Sequence, residues 1–194
     1  IYFVFIFSIY NISMLSSQEA EKILESAEQI YSADIISETV QRMAVDITDT
    51  LSDQNPLVLS VTSGAIVFTG QLLPLLKFPL NLDYLHASRY NNKIKGGEVT
   101  LKVSPYTNIK DRVVLVLDDI LDEGITLASV RKHILENGAK AFYSAVLANK
   151  DINKAKSITA DFVGFTLPDR YVFGFGMDIY GSWRNLPAIY AVKD

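Results

Sequence analysis

A chain of 194 residues fits one domain and can bury most of its unfolded surface in a single core. With 49% hydrophobic and 21% charged residues and no repeat or low-complexity tract, disordered and solenoid architectures are excluded, and a net charge of -4 supplies no general field for nucleic acid. The absence of cysteine excludes a disulfide scaffold, thiolate catalysis and thiolate metal sites, and it suits a reducing, cytoplasmic setting.

The opening IYFVFIFSIYNIS, residues 1–13, has an apolar run too short to cross a bilayer and lacks the basic region and cleavage site of a signal peptide. It is read as a non-native extension ahead of Met14, with an edge strand or an oligomer contact as the alternative. Ser16-Ser17-Gln18-Glu19 is a capping-box pattern. Ala20, Ile23, Leu24, Ala27, Ile30 and Tyr31 follow it at helical spacing, and Val40, Met43, Ala44, Ile47 and Leu51 predict a second helix after Ser37. PLVLSV (56–61) reads as a buried strand, TSGA as a tight loop in which Gly64 permits the turn, and residues 65–77 as a short apolar helix.

LNLDYLHA predicts a further strand, SRYNNKIKGGE (88–98) a mobile polar stretch, and EVTLKV the returning arm of a hairpin. DRVVLVLDD is too continuously apolar for a half-exposed strand. It predicts a central parallel strand feeding a helix that carries Leu127, Val130, Ile134 and Leu135 and closes on Gly138. AFYSAVLANK and DFVGFTLP add two strands before a tail rich in glycine and aromatics. The alternation predicts an α/β fold with a central, mostly parallel twisted sheet flanked by helices. Ligands of such sheets bind beyond the carboxyl ends of the strands.

At one of those ends Asp118, Asp119, Asp122 and Glu123 crowd four like charges that a cation or hydrogen-bond donors must offset. A helix starting near Ile125 turns free N–H groups and a positive dipole end toward the loop DEGIT, which makes the loop an anion site. Gly124 allows close approach of the backbone, and the Thr126 hydroxyl adds a donor. A phosphate in that loop, with two carboxylates just upstream accepting from vicinal hydroxyls, fits a sugar phosphate. The structural alternative makes Asp122 a helix cap and the aspartate pair solvated loop ends.

VVLVLDDILDEGIT resembles the phosphoribosyl-diphosphate motif of the type I phosphoribosyltransferases: hydrophobics, two acids, two hydrophobics, then Asp, any residue, Gly, any residue and Thr. The resemblance implies that Asp118 and Asp119 hold the ribose hydroxyls while Asp122, Glu123, Gly124, Ile125 and Thr126 cradle the 5-phosphate. Glu123 departs from the small hydroxyl residue commoner there, so its carboxylate must point away. DFVGFTLPDRYVFGFGMD (161–178) resembles the base-binding region of the hypoxanthine-guanine (6-oxopurine) group. That likeness implies Lys150 on the purine 6-oxygen, Tyr171 stacked on the base, the backbone of Val172 at the base edge, and Asp178 as a ligand of Mg²⁺ alongside Asp118 and Asp119. Ser63 and Gly64 fall in the family's pyrophosphate loop, Ser63 where some members have lysine. Arg184 falls near the pyrophosphate, and Ser88, Arg89 and Tyr90 in a lid. Asp122 is expected to be the general base. Phe162, Phe165, Phe173 and Phe175 are read as core, and His86 and His133 as structural or exposed.

The expected activity is transfer of the 5-phosphoribosyl group from phosphoribosyl diphosphate to hypoxanthine or guanine with Mg²⁺, releasing pyrophosphate, in purine salvage. The expected protein is a homodimer or homotetramer with no nucleic-acid or membrane partner, its domain spanning residues 14–194 with a hood from about 14–35 and 150–194. Alternatives are a xanthine-preferring enzyme and a non-catalytic sensor of the donor.

Overall fold

The computed structural model describes residues 15–89 and 99–193. The expected extension at residues 1–13, and Tyr90 with the remainder of the polar stretch, lie outside them. Ser16 forms the capping box: its hydroxyl accepts from Glu19 N at 3.3 Å while Glu19 Oε2 accepts from Ser16 N at 2.9 Å. These bonds start α1 (Ser17–Ser26).

The first helix stops sooner than its apolar spacing predicts. Ala27 is extended, and Ile30 and Tyr31 belong to β1 (Glu28–Tyr31), which pairs antiparallel with β9 (Ile189–Ala191). Tyr31 stacks on Phe165 with ring centroids 4.4 Å apart. Pairing with the far end of the chain thus overrides a local spacing that fits helix and strand alike. The second helix, α2 (Ala33–Leu51), begins earlier than expected because Ser32 caps it, its hydroxyl accepting from Ile35 N at 3.4 Å.

Among the described residues six strands form the main sheet: β2 (Leu57–Val61), β3 (Asn81–Arg89), β4 (Val99–Val103), β5 (Val113–Leu121), β6 (Ala141–Lys150) and β7 (Phe162–Leu167). Their order is β4-β3-β2-β5-β6-β7, parallel throughout except for the expected β3-β4 hairpin. α3 (Ile66–Leu72) follows β2, and α4 (Ile125–Glu136) follows β5. The glycine stop of α4 falls one residue later than a cap: Asn137 is the C-cap, and Gly138 follows at φ +83°.

The central strand is covered on both sides. Val113, Leu115 and Leu117 of β5 pack in one cluster with Ile36, Met43 and Phe68 of α2 and α3, whereas Val114 and Val116 pack in another with Leu127, Val130 and Ile134 of α4. Successive side chains point to opposite faces, so a strand buried on both reads as an unbroken apolar run. Ser60, inside this core, is satisfied by the Thr69 hydroxyl at 2.9 Å.

A smaller sheet, β1-β9-β8, joins β1 and β9 to β8 (Val172–Phe173). Trp183 Nε1 donates to Ala20 O at 2.7 Å and ties the tail to α1. Parallel order brings the carboxyl ends of β2, β5 and β6 to one side of the main sheet, below this tail. Among the described residues no helix is long and apolar enough to cross a membrane. Leu115→Ala, which empties a fully buried position in the central strand, should lower the unfolding free energy by about 3 kcal/mol in urea titration; an unchanged midpoint would mean this face is not close-packed.

Candidate active site

Asp118 and Asp119 are still inside β5 when they reach the end of the sheet. Asp118 is 7% exposed, and its Oδ1 accepts from Asp119 N at 3.0 Å, while Asp119 Oδ1 accepts from Ile120 N at 2.9 Å. Burial pushes the Asp118 carboxyl well above the usual aspartate range, and the neighbouring Asp119 charge pushes it further. Burial also raises Asp119, but hydrogen bonds from Asp118 and Ile120 and the Arg184 guanidinium offset part of that rise.

The loop after β5 runs directly into the start of a helix. Gly124 is the N-cap of α4 at φ +81°, and no side chain caps the helix. Asp122 is therefore not the helix cap, and the start of the helix faces the loop with its dipole's positive end. Across from it, Gly64 serves space rather than turning. Its φ is not left-handed, but a Cβ there would overlap the Asp119 carboxylate. A Cβ on Gly176 would in turn overlap Gly64 O, so three backbone segments close on one another around Asp119.

A cavity of about 370 Å³ opens over these groups, lined among others by Ser63, Gly64, Asp118, Asp119, Asp122, Gly124, Thr126, Asp178 and Arg184. Arg184 Nη2 pairs with Asp178 Oδ1 at 2.5 Å, and its Nη1 donates to Gly176 O at 2.6 Å. Gly181 N donates to the other Asp178 oxygen at 2.7 Å. A second cavity of about 230 Å³ is lined by Asp119, Ile120, Asp122, Lys150, Tyr171, Val172, Met177 and Asp178. Lys150, only 16% exposed, lies 4.0 Å from Asp122 Oδ2 and 3.4 Å from Asp169 Oδ1. Tyr171, half exposed, stacks with Tyr180 at 6.2 Å. Burial, then the Asp178 charge, raises its hydroxyl pKa.

Most of the expected site residues thus meet at two adjoining cavities, with three qualifications. Glu123 and Ile125 are exposed and their side chains line neither cavity, so the loop offers its backbone there. Among the described residues no three His, Cys, Asp or Glu side chains converge as a metal-holding group. Asp118, Asp119 and Asp178 share a cavity without forming a metal cage. Ser88 and Arg89 end β3 opposite Thr100 and Val99, whereas Tyr90 lies outside the described residues. Sequence reasoning missed His86, which lines the first cavity. Its signal was position, at the carboxyl end of a strand parallel to β2, rather than spacing to other ligands.

A family model described as the phosphoribosyl transferase domain matches residues 26–180. The chain is 33% identical over 166 residues to a hypoxanthine-guanine-xanthine phosphoribosyltransferase of Tritrichomonas foetus, covering 85% of this chain and 91% of that protein. It is 31% identical over 180 residues to a hypoxanthine-guanine phosphoribosyltransferase of Bacillus subtilis, covering 92% and 97%. A crystal structure of a hypoxanthine-guanine phosphoribosyltransferase from Bacillus anthracis superposes with a TM-score of 0.78 at 30% identity, covering 86% of this chain and 98% of that one. The chain belongs to the phosphoribosyltransferase family.

Two stability measurements probe the site without substrate. Gly64→Ala, which forces a methyl against the Asp119 carboxylate, should cost about 1–3 kcal/mol; Gly70→Ala, in α3 where a Cβ meets nothing, should stabilise by up to about 1 kcal/mol. Equal effects in urea titration would remove the close-approach argument. For the buried pair, a carboxyl raised in the folded state keeps its proton after the unfolded chain has lost its own. Stability of the ligand-free protein therefore falls as pH rises from the ordinary aspartate range through the raised value. Asp118→Asn should flatten that slope and raise Tm at neutral pH; an unaltered Tm–pH profile would show that Asp118 ionises without cost.

Proposed function

We propose that this phosphoribosyltransferase moves the 5-phosphoribosyl group of phosphoribosyl diphosphate onto hypoxanthine or guanine, giving IMP or GMP and pyrophosphate, in purine salvage. The observation that carries the reading is that two cavities share a wall made of Asp119, Ile120, Asp122 and Asp178. A donor and an acceptor held on either side of that wall are within reach of one carboxylate, Asp122. The names of relatives near 30% identity support the same activity.

In this reading Asp118 and Asp119 accept hydrogen bonds from the ribose hydroxyls, and the backbone of residues 122–126 with the Thr126 hydroxyl holds the 5-phosphate. Ser63, Gly64 and Arg184 take the diphosphate. Lys150 donates to the purine 6-oxygen, Tyr171 stacks on the ring, and the Val172 backbone meets its edge. The bond from the sugar's anomeric carbon to diphosphate breaks as the bond to purine N9 forms, and the N7 proton passes to Asp122. Carboxylates below the ribose stabilise the positive charge that develops on it. Ser88, Arg89 and Tyr90 belong to a lid that excludes water from the reacting centre.

The donor set suits Mg²⁺, a hard cation that takes one or two carboxylates and fills its remaining positions from substrate oxygens and water. Asp178, with lone pairs left beyond Arg184 and Gly181, and Asp118 or Asp119 would hold it. When bound, the ion neutralises charge on the diphosphate. The hood, about 14–35 and 150–194, comprises the small sheet and the tail above the strand ends, within a domain of residues 14–194. A homodimer or homotetramer fits an outer sheet face on which Leu82 and Tyr84 are each 52% exposed. A cytoplasmic location suits a chain without cysteine.

Xanthine as a further acceptor is favoured by the name of the Tritrichomonas foetus relative. The deciding assay offers phosphoribosyl diphosphate and Mg²⁺ with hypoxanthine, guanine, xanthine and adenine in turn. Hypoxanthine and guanine should become nucleotides, and Asp122→Asn should cut turnover by about 10²–10⁴-fold while calorimetric donor binding persists. Donor binding without turnover of any base by the wild type would return the chain to the sensor reading.

A further inference from the structure

Lys156 lies in the segment between β6 and β7 and lines neither of the two cavities. Its Nζ donates to Leu121 O at 2.6 Å and to Asn149 Oδ1 at 2.7 Å. Leu121 and Asn149 are partners across the β5-β6 ladder, and each stands immediately before a residue with a role in the proposed reaction. Leu121 precedes Asp122, and Asn149 precedes Lys150. One ammonium therefore clamps the rung from which the proposed general base and the proposed base-edge donor project, with 4.0 Å between their charged atoms. The next two residues reach the anion loop as well: Ser157 Oγ and Ile158 Cγ2 lie 3.1 and 3.2 Å from where a Cβ on Gly124 would stand.

We propose that Lys156 is a positioning residue that fixes Asp122 and Lys150 relative to each other, and so sets where the purine sits against the proton acceptor. This inference rests on the function proposed above. An ammonium spends two of its three N–H groups on the paired ends of adjacent strands, with charge-assisted bonds that a neutral side chain does not reproduce. The charges that act on it are Asp122 and Asp151, which favour its protonated form, and Lys150, which opposes it, while burial lowers its pKa. Lys154 and Lys156 both line a third cavity, together with Asn149, Lys150 and Asp151. Misplacement of a reacting group by about 1 Å can cost 10²-fold in rate, so a clamp one residue away has leverage without touching substrate.

The test compares wild type, Lys156→Met and Lys156→Arg by steady-state kinetics with each substrate varied, alongside thermal unfolding. Lys156→Met should raise the purine KM and lower kcat, together by about tenfold or more, with the donor KM changed by less than about twofold. Lys156→Arg, which keeps a cation with several N–H donors, should recover most of the loss. A brace serving only the fold would lower Tm and scale kcat with the folded fraction while both KM values stayed put, and that result overturns the proposal. So would purine constants that do not change, or equal losses for both substrates. Wild-type protein that turns over no purine defeats the proposed function, and the inference falls with it. Wild-type turnover matched by Lys156→Met defeats the inference alone.

Discussion

Two adjacent carboxylates at the end of the central strand, Asp118 buried and Asp119 half-buried, are the constraint around which the rest of the site is arranged. Desolvation disfavours both charges, and their proximity disfavours having both at once. The fold answers with backbone donors from Asp119 and Ile120 and with the Arg184 guanidinium, itself anchored on Asp178 and Gly176 O. That arrangement is a poor way to stabilise a free protein, and in the proposed reaction it would be offset by ribose hydroxyls that donate to the carboxylates.

The same constraint explains the packing around the loop after β2. Asp119 needs room where a side chain would otherwise stand, and Gly64 supplies it; Gly176 then lets the tail close over Gly64. Parallel order is what makes this closure possible. Because β2, β5 and β6 run the same way, the 62–65 loop, the aspartates and Lys150 emerge on one side, and the tail from the small sheet has a single place to cover. An antiparallel neighbour would have sent one of these groups to the far end of the sheet.

The unbroken apolar run of β5 and its four acids were legible because both are local: burial on two faces and a turn into a helix leave their marks within a few residues. The acid-rich loop pointed to an anion site in the sequence, and the structure places Gly124, not Asp122, at the helix cap. What stayed hidden depended on contacts between distant segments. The spacing of Ala27, Ile30 and Tyr31 carries no sign that β9 waits to pair with residues 28–31. The reason for Gly64 lies in Asp119, and Lys156 reads as one lysine among several in a polar segment until its partners Leu121 and Asn149 are seen.

The shared wall between the cavities also bears on which bases the proposed reaction would accept. Lys150 already faces Asp122 and Asp169, so its ammonium is a donor with no acceptor capacity. A 6-oxo group offers it an acceptor. A 6-amino group at the same place would set donor against donor, a mismatch that discriminates more strongly than shape does. In that reading the contacts that distinguish guanine or xanthine from hypoxanthine would lie on the opposite edge, where backbone near Val172 rather than a fixed charge would meet the ring. In the proposed reaction, discrimination at the 6-position would rest on the Lys150 charge, and discrimination at the 2-position on hydrogen-bond geometry.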